Sequence, residues 1–147
     1  MRINQILPIK PSAIVHLLPS ASVASAIELM LQERVGAVLV IDEEGHLKGV
    51  LSERDIVYGL AADPTGLLQR KVIEVARSDG PVASPEDTVQ AVMELMTVTR
   101  ARHVPVVRYG RVIGVISIGD IVKSRLDEKT LENTVLQELA RTQFFAH

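Results

Sequence analysis

The chain has no cysteine among its 147 residues, which excludes disulfides, thiolate catalysis and Cys-based zinc sites and fits a reducing compartment. It also has little net charge. Its 16 basic and 18 acidic side chains leave −2, so no global field draws in nucleic acid or an anionic membrane, and any anion site must be local. Long hydrophobic runs are missing too. The stretch MRINQILPIKPSAIV reaches Pro8 and Pro11 before a secretory apolar core forms, and the longest apolar runs are of strand length. These absences lead us to expect a soluble, cytoplasmic protein with neither nucleic acid nor membrane as a partner. Catalytic signatures are lacking as well: there is no G-x-S-x-G elbow, P-loop or G-x-G-x-x-G fingerprint, and no nucleophile beside a base. His16, His46, His103 and His147 are scattered, with no H-x-x-x-H, Cys/His or clustered-carboxylate spacing, so no metal centre and no enzyme are expected.

What the chain does have is a duplication. GVLSERD at 49–55 returns as GVISIGD at 114–120, and VASAIELM at 23–30 returns as VQAVMELM at 89–96. The offset is 66 residues at the helical segment and 65 at the glycine segment. Self-similarity at a fixed period marks a duplicated supersecondary unit, and function is to be sought where the two copies meet. With 47% hydrophobic residues the chain can bury one ordinary core.

Ala21 to Glu33 places Val23, Ile27, Met30 and Leu31 on one helical face, with Ser20 or Ser22 as N-cap. Ala37–Ile41 and Leu47–Leu51 flank the polar turn Asp42-Glu43-Glu44-Gly45 and read as a β-hairpin, followed by a helix from Glu53. The second copy reads as a helix from Glu86 to Thr99 capped by Ser84 or Asp87, then strands His103–Arg108 and Val112–Ser117 around Tyr109-Gly110. Ile14-Val15 and Pro81-Val82-Ala83 offer each sheet a leading strand. The organisation expected is an N-terminal segment at 1–11, a first repeat at 12–62, a connection at 63–77, a second repeat at 78–126 and a helical tail at 127–147. In that tail Leu131, Val135 and Leu139 form an apolar stripe, and Phe144-Phe145 are the only phenylalanines. The stripe suits either packing on the module or a dimer or docking contact.

Gly-apolar-apolar-Ser-x-x-Asp at a strand-to-helix junction suits one chemistry. Ser52 and Ser117 can cap the next helix, whose free N–H groups and positive dipole end favour a phosphate. Asp55 and Asp120, one turn on, are acceptor-only carboxylates able to take both hydroxyls of a ribose. The same Ser-x-x-Asp spacing is also an ordinary capping arrangement, and the two copies at matched positions are what favour the ligand reading. His103 admits a purely structural hairpin role, and Arg34, Arg100, Arg108 and Arg111 a solvated one.

The segments VGAVLVIDEEGHLKGVLSERDIV (35–57) and ARHVPVVRYGRVIGVISIGDIV (101–122) resemble tandem CBS (cystathionine β-synthase) domains, a pair known as a Bateman module. The resemblance covers residues 12 to 126 and is nearest to small stand-alone proteins made of one such pair. It implies an α+β fold of two β-α-β-β-α repeats in pseudo-twofold arrangement plus the C-terminal helix, with adenosine-containing ligands in two clefts. It implies that Ser52 and Asp55 hold ribose and phosphate in one cleft, and Ser117 and Asp120 in the other. Val35, Gly36, Ala37 and His16 would wall the Asp120 cleft. Val82, Ala83, His103, Val104 and Pro105 would wall the Asp55 cleft, with Arg54, Arg102 and His103 on phosphates. The copies differ: Gly119 stands opposite Arg54, and Leu39 opposite Pro105.

The reading that follows is a non-catalytic adenine-nucleotide sensor for AMP, ADP, ATP or NAD(H), in which the ligand bridges the repeats and shifts their packing. S-adenosylmethionine ranks lower because it lacks the phosphate that Arg54 and Arg102 would meet. The resemblance further implies a homodimer and a regulated partner protein. The alternative is a constitutive interaction module with vestigial clefts.

Overall fold

A computed structural model describes residues 1–7 and 14–145, with side chains as far as Arg141. The Pro8, Pro11 and Phe144-Phe145 side chains therefore lie outside the described residues. The first repeat contains β1 (His16–Leu17), α1 (Val23–Glu33), β2 (Ala37–Ile41), β3 (Leu47–Ser52) and α2 (Glu53–Ala62). The connection holds a 3-10 turn at Leu67–Gln69 and the single-turn α3 (Val72–Val75). The second repeat contains α4 (Val89–Thr99), β4 (His103–Arg108), β5 (Arg111–Ser117) and the long α5 (Ile118–Phe145).

Ser22 caps α1 as expected, accepting from the Ser25 N–H at 3.1 Å. The cap of α4 is a correction: Thr88 takes that role, accepting from the Ala91 N–H at 3.0 Å, and the helix starts at Val89 rather than Glu86. The Ser84 N–H instead donates to the Asp87 carboxylate at 2.8 Å, closing a separate turn before the helix.

Eight of the nine buried residues in each core match position for position. Val23, Ala26, Met30, Val38, Val40, Leu51 and Ile56 are buried in the first, and Val89, Val92, Met96, Val104, Val106, Ile116 and Ile121 in the second. The eighth pair shows how the repeats are joined. Val72, from the connection before the second repeat, completes the first core, whereas Ile3, from the segment before the first repeat, completes the second. The backbone bonds repeat the exchange. Val23 N–H donates to the Arg70 carbonyl and Val89 N–H to that of Met1, both at 2.9 Å; Val72 N–H donates to Ala21 at 2.7 Å and Ile3 N–H to Asp87 at 2.9 Å. Each repeat thus lends its leading segment to the other.

The glycine of each GV(L/I)S segment makes room for the borrowed segment. A Cβ on Gly49 would lie 3.0 Å from the Arg77 carbonyl oxygen and 3.1 Å from the Ala76 Cβ, and one on Gly114 would lie 2.9 Å from a Leu7 methyl. The hairpin tips close the pseudo-twofold. Leu47 N–H donates to the Gly110 carbonyl at 3.3 Å, and its repeat-mate Val112 donates to Gly45 at 3.0 Å.

The sheets are unequal. β1 pairs parallel with β2 and β2 antiparallel with β3, whereas β4 and β5 form a two-stranded sheet. The Leu39 N–H donates to the Val15 carbonyl at 3.0 Å. Pro105 occupies the matching position without an N–H, and the strand expected at Pro81-Val82-Ala83 is reduced to an isolated Ala83–Val106 bridge.

Candidate functional site

The strand-to-helix junctions place both Ser-Asp pairs. Ser52 ends β3 and caps α2: its hydroxyl accepts from the Asp55 N–H at 3.2 Å, while Asp55 Oδ2 accepts from the Ser52 N–H at 2.9 Å and the Ser52 hydroxyl at 2.8 Å. Ser117 and Asp120 repeat the reciprocal capping, with Asp120 N–H donating to Ser117 Oγ at 3.1 Å and Ser117 N–H to Asp120 Oδ2 at 2.9 Å. Both carboxylates are therefore fixed at a helix N-terminus, where backbone N–H groups and the dipole favour negative charge.

Their surroundings differ. Asp120 lines a cavity of about 260 Å³ between the repeats, with Val15, Val35, Gly36, Ala37 and Leu39 on one side and His103 and Val115 on the other. The first repeat supplies small and apolar groups, the second a carboxylate and an imidazole. Such a cavity can hold a flat apolar body against the first repeat and anchor hydroxyls on Asp120. Asp55 lines a different hollow of about 400 Å³, walled by α2 and the connection through Tyr58, Asp63, Leu67, Arg70 and Glu74. Its Oδ1 faces the guanidinium Nε of Arg77 at 3.5 Å.

Of the residues singled out for the Asp120 cleft, Val35, Gly36 and Ala37 are brought to it. His16 is not: Val15 supplies the lining, and the exposed His16 ring faces the Ile14 carbonyl through Nδ1 at 3.0 Å. His103, expected in the Asp55 cleft, lines the Asp120 cavity together with Val115. Val104 and Ala83 are core residues of the second repeat, because alternation along β4 sends Val104 and Val106 inward and Ala83 packs beside them. Pro105 is buried and Val82 about half exposed. Arg54 and Arg102 are exposed; the Arg102 carbonyl accepts from the Ile118 N–H at 2.8 Å, which sets this arginine beside the start of α5. Neither has a charged partner among the described residues.

Sequence reasoning missed Val15, Leu39 and Val115 as lining residues and Arg77 as the partner of Asp55. It also missed a cluster in the first hairpin turn, where the ligand atoms of Asp42, Glu44 and His46 lie within 4.8 Å of one another. The D-x-E-x-H spacing was the available signal. The Asp42 carboxylate there is held below its ordinary value, chiefly by the His46 backbone N–H, and Lys48 Nζ stands 3.6 Å away. Those donors and that cation give the carboxylate a structural role in the turn.

A family model described as the CBS domain matches residues 9–62 and 72–127. The chain belongs to the CBS domain family. Its two CBS repeats are 32% identical over 111 residues to the mitochondrial CBS domain-containing protein CBSX3 of Arabidopsis thaliana, a match covering 73% of this chain and 54% of that one. The chain thus spans about half the length of that relative. A CBS-domain protein from Agrobacterium tumefaciens, ATU1752, superimposes with a TM-score of 0.73 at 35% identity, over 84% of this chain and 92% of that one. CBSX2, solved in complex with AMP, superimposes with a TM-score of 0.75 at 26% identity, over 87% of this chain and 98% of that one. No described helix is long and apolar enough to cross a membrane.

Proposed function

We propose that this CBS pair is a non-catalytic regulatory module that binds an adenine nucleotide, AMP foremost, between its repeats and passes occupancy to a partner protein. The observation that carries the reading is the 260 Å³ cavity, in which a ribose-competent carboxylate of one repeat faces the small apolar wall of the other. Adenine lies against Val35-Gly36-Ala37 and Leu39, the ribose diol donates to Asp120, and the phosphate meets the N-terminus of α5 with His103 and Arg102 nearby. The AMP complex of CBSX2 supports this choice of ligand. The cavity is small beside typical ligand pockets of about 300–1,000 Å³, which favours a mononucleotide over NAD(H).

A ligand touching both repeats stabilises whichever relative packing gives it better contacts, and that difference is the signal. The hairpin tips, joined by two backbone hydrogen bonds, are where the packing is set. Exposed Ile118, Val122 and Leu126 form an apolar row along the first turns of α5, and Val57 is the repeat-mate of Val122. This row supports assembly into a homodimer, and a cytoplasmic location suits the cysteine-free chain.

The second reading is a constitutive interaction module. It rests on α5 beyond the repeats, where Leu131, Val135 and Leu139 remain exposed. Thermal shifts of the nucleotide-stripped protein against AMP, ADP, ATP, NAD, NADH, GTP and S-adenosylmethionine separate the two. A ligand at one hundred times its Kd adds about 2.7 kcal/mol. Selective stabilisation by adenine nucleotides is expected; no shift with any of them favours the interaction module.

A further inference from the structure

The two carboxylates are equivalent in sequence and unequal in the structure. Asp55 has both oxygens engaged: Oδ2 by the Ser52 N–H and hydroxyl, and Oδ1 by the Arg77 guanidinium at 3.5 Å. Asp120 has Oδ2 bound to the Ser117 N–H, and no charged partner among the described residues. A ribose diol needs carboxylate oxygens that are free to accept two O–H donors. Among the described residues Asp120 meets that need, and it faces a cavity lined from both repeats.

Arg77 is delivered to Asp55 by the backbone. Its N–H donates to the Val50 carbonyl at 3.0 Å, and its own carbonyl accepts from the Val50 N–H at 2.9 Å, so Arg77 adds a bridge to the free edge of β3. Gly49 permits this approach, since a Cβ there would meet the Arg77 carbonyl oxygen. The sequence does not repeat the device. At the sequence offset that matches Arg2 with Lys71 and Ile3 with Val72, proline (Pro8) stands where the other segment has Arg77, and proline carries no cation.

We infer that Arg77 is a specificity-determining residue that holds Asp55 in an ion pair, so that the Asp120 cleft fills first and the Asp55 side takes nucleotide only when Arg77 is displaced. The inference rests on the nucleotide-binding reading above. Arg77 is well exposed, with 68% of its side chain accessible against 11% for Asp55. An ion pair with one exposed partner is weak, so its removal changes affinity at the Asp55 side by a factor of up to about five.

The test is titration calorimetry of AMP against four full-length proteins: wild type, Asp120→Ala, Arg77→Ala and Asp120→Ala/Arg77→Ala. Wild type is expected to bind one AMP per chain tightly, and Asp120→Ala only weakly through the Asp55 side. Removing Arg77 in the Asp120→Ala background should tighten that residual binding by up to about five-fold. Equal or weaker residual binding without Arg77 overturns the inference and leaves the nucleotide reading standing, the weaker case marking Arg77 as a ligand contact. No binding by any of the four, wild type included, overturns the nucleotide reading and the inference together.

Discussion

Replacing Ile3 by alanine tests the exchange of leading segments, on which the pairing of the two repeats depends. Ile3 is fully buried, and its neighbours are second-repeat residues, although the chain reaches the whole first repeat before it arrives at them. The segment is held by three backbone hydrogen bonds of 2.9–3.0 Å, to Asp87, Pro85 and Val89. The alanine backbone keeps those bonds, so the loss is that of the side chain. Truncation of a buried isoleucine to alanine costs about 2–5 kcal/mol, and a site pinned this way collapses little, which places the cost near about 3 kcal/mol. For a chain of this size that lowers Tm by about 6–12 °C. Urea melts give the total, and amide hydrogen exchange gives the location: protection in β4 and β5 should fall more than in β2 and β3. A loss below about 1 kcal/mol, or opening that begins in β2 and β3, would refute the exchange.

Three further predictions address other joints of the fold. Gly49→Ala presses a Cβ to 3.0 Å from a backbone oxygen rather than a flexible side chain, so it should cost about 1–3 kcal/mol in urea denaturation, and an unchanged midpoint would contradict the close approach. Arg100 closes α4 in the left-handed conformation at φ 57°, so Arg100→Gly should raise stability by up to about 1 kcal/mol, seen as a higher Tm. The Glu86 carboxyl is held below its ordinary value of 4.5, first by the Ser84 hydroxyl and then by Arg108. Its contribution is therefore fully present above pH 4.5 and lost as pH falls through the lower folded value. Glu86→Gln should flatten the acid limb of the stability–pH curve, and an unaltered limb would show that the contact contributes nothing.

Local periodicity carried most of the fold. The α1 cap at Ser22 and both hairpins could be read from the chain because each depends on residues a few positions apart. The cap of α4 was misread because SPEDT offers several capping side chains in a row, and only the turn closed by Ser84 and Asp87 leaves Thr88 to cap the helix. The loan of Ile3 and Val72 was hidden because RINQIL and KVIEVA share little beyond apolar positions, and the contacts that reveal the match lie across the molecule. The place of His103 in the Asp120 cavity was hidden for a related reason: the sequence shows a basic entry to β4, and only the packing of one repeat on the other brings that residue to a cavity. Arg77 escaped notice because a lone arginine in a connecting segment looks solvated until the backbone of Val50 is seen to hold it. The Ser-Asp pairs were legible because the duplication printed them twice, and their capping and their proposed ribose contact use the same carboxylates.

The central claim is that one adenine nucleotide touches both repeats at the Asp120 cleft. The most direct measurement is an AMP titration of the isotope-labelled protein followed by backbone amide NMR. The account predicts that the amides of Gly36 and Ala37 in the first repeat and of Ser117 to Asp120 in the second shift together along one binding curve, and that Asp120→Ala abolishes both sets of shifts. Shifts confined to one repeat, or unchanged by that substitution, would contradict it.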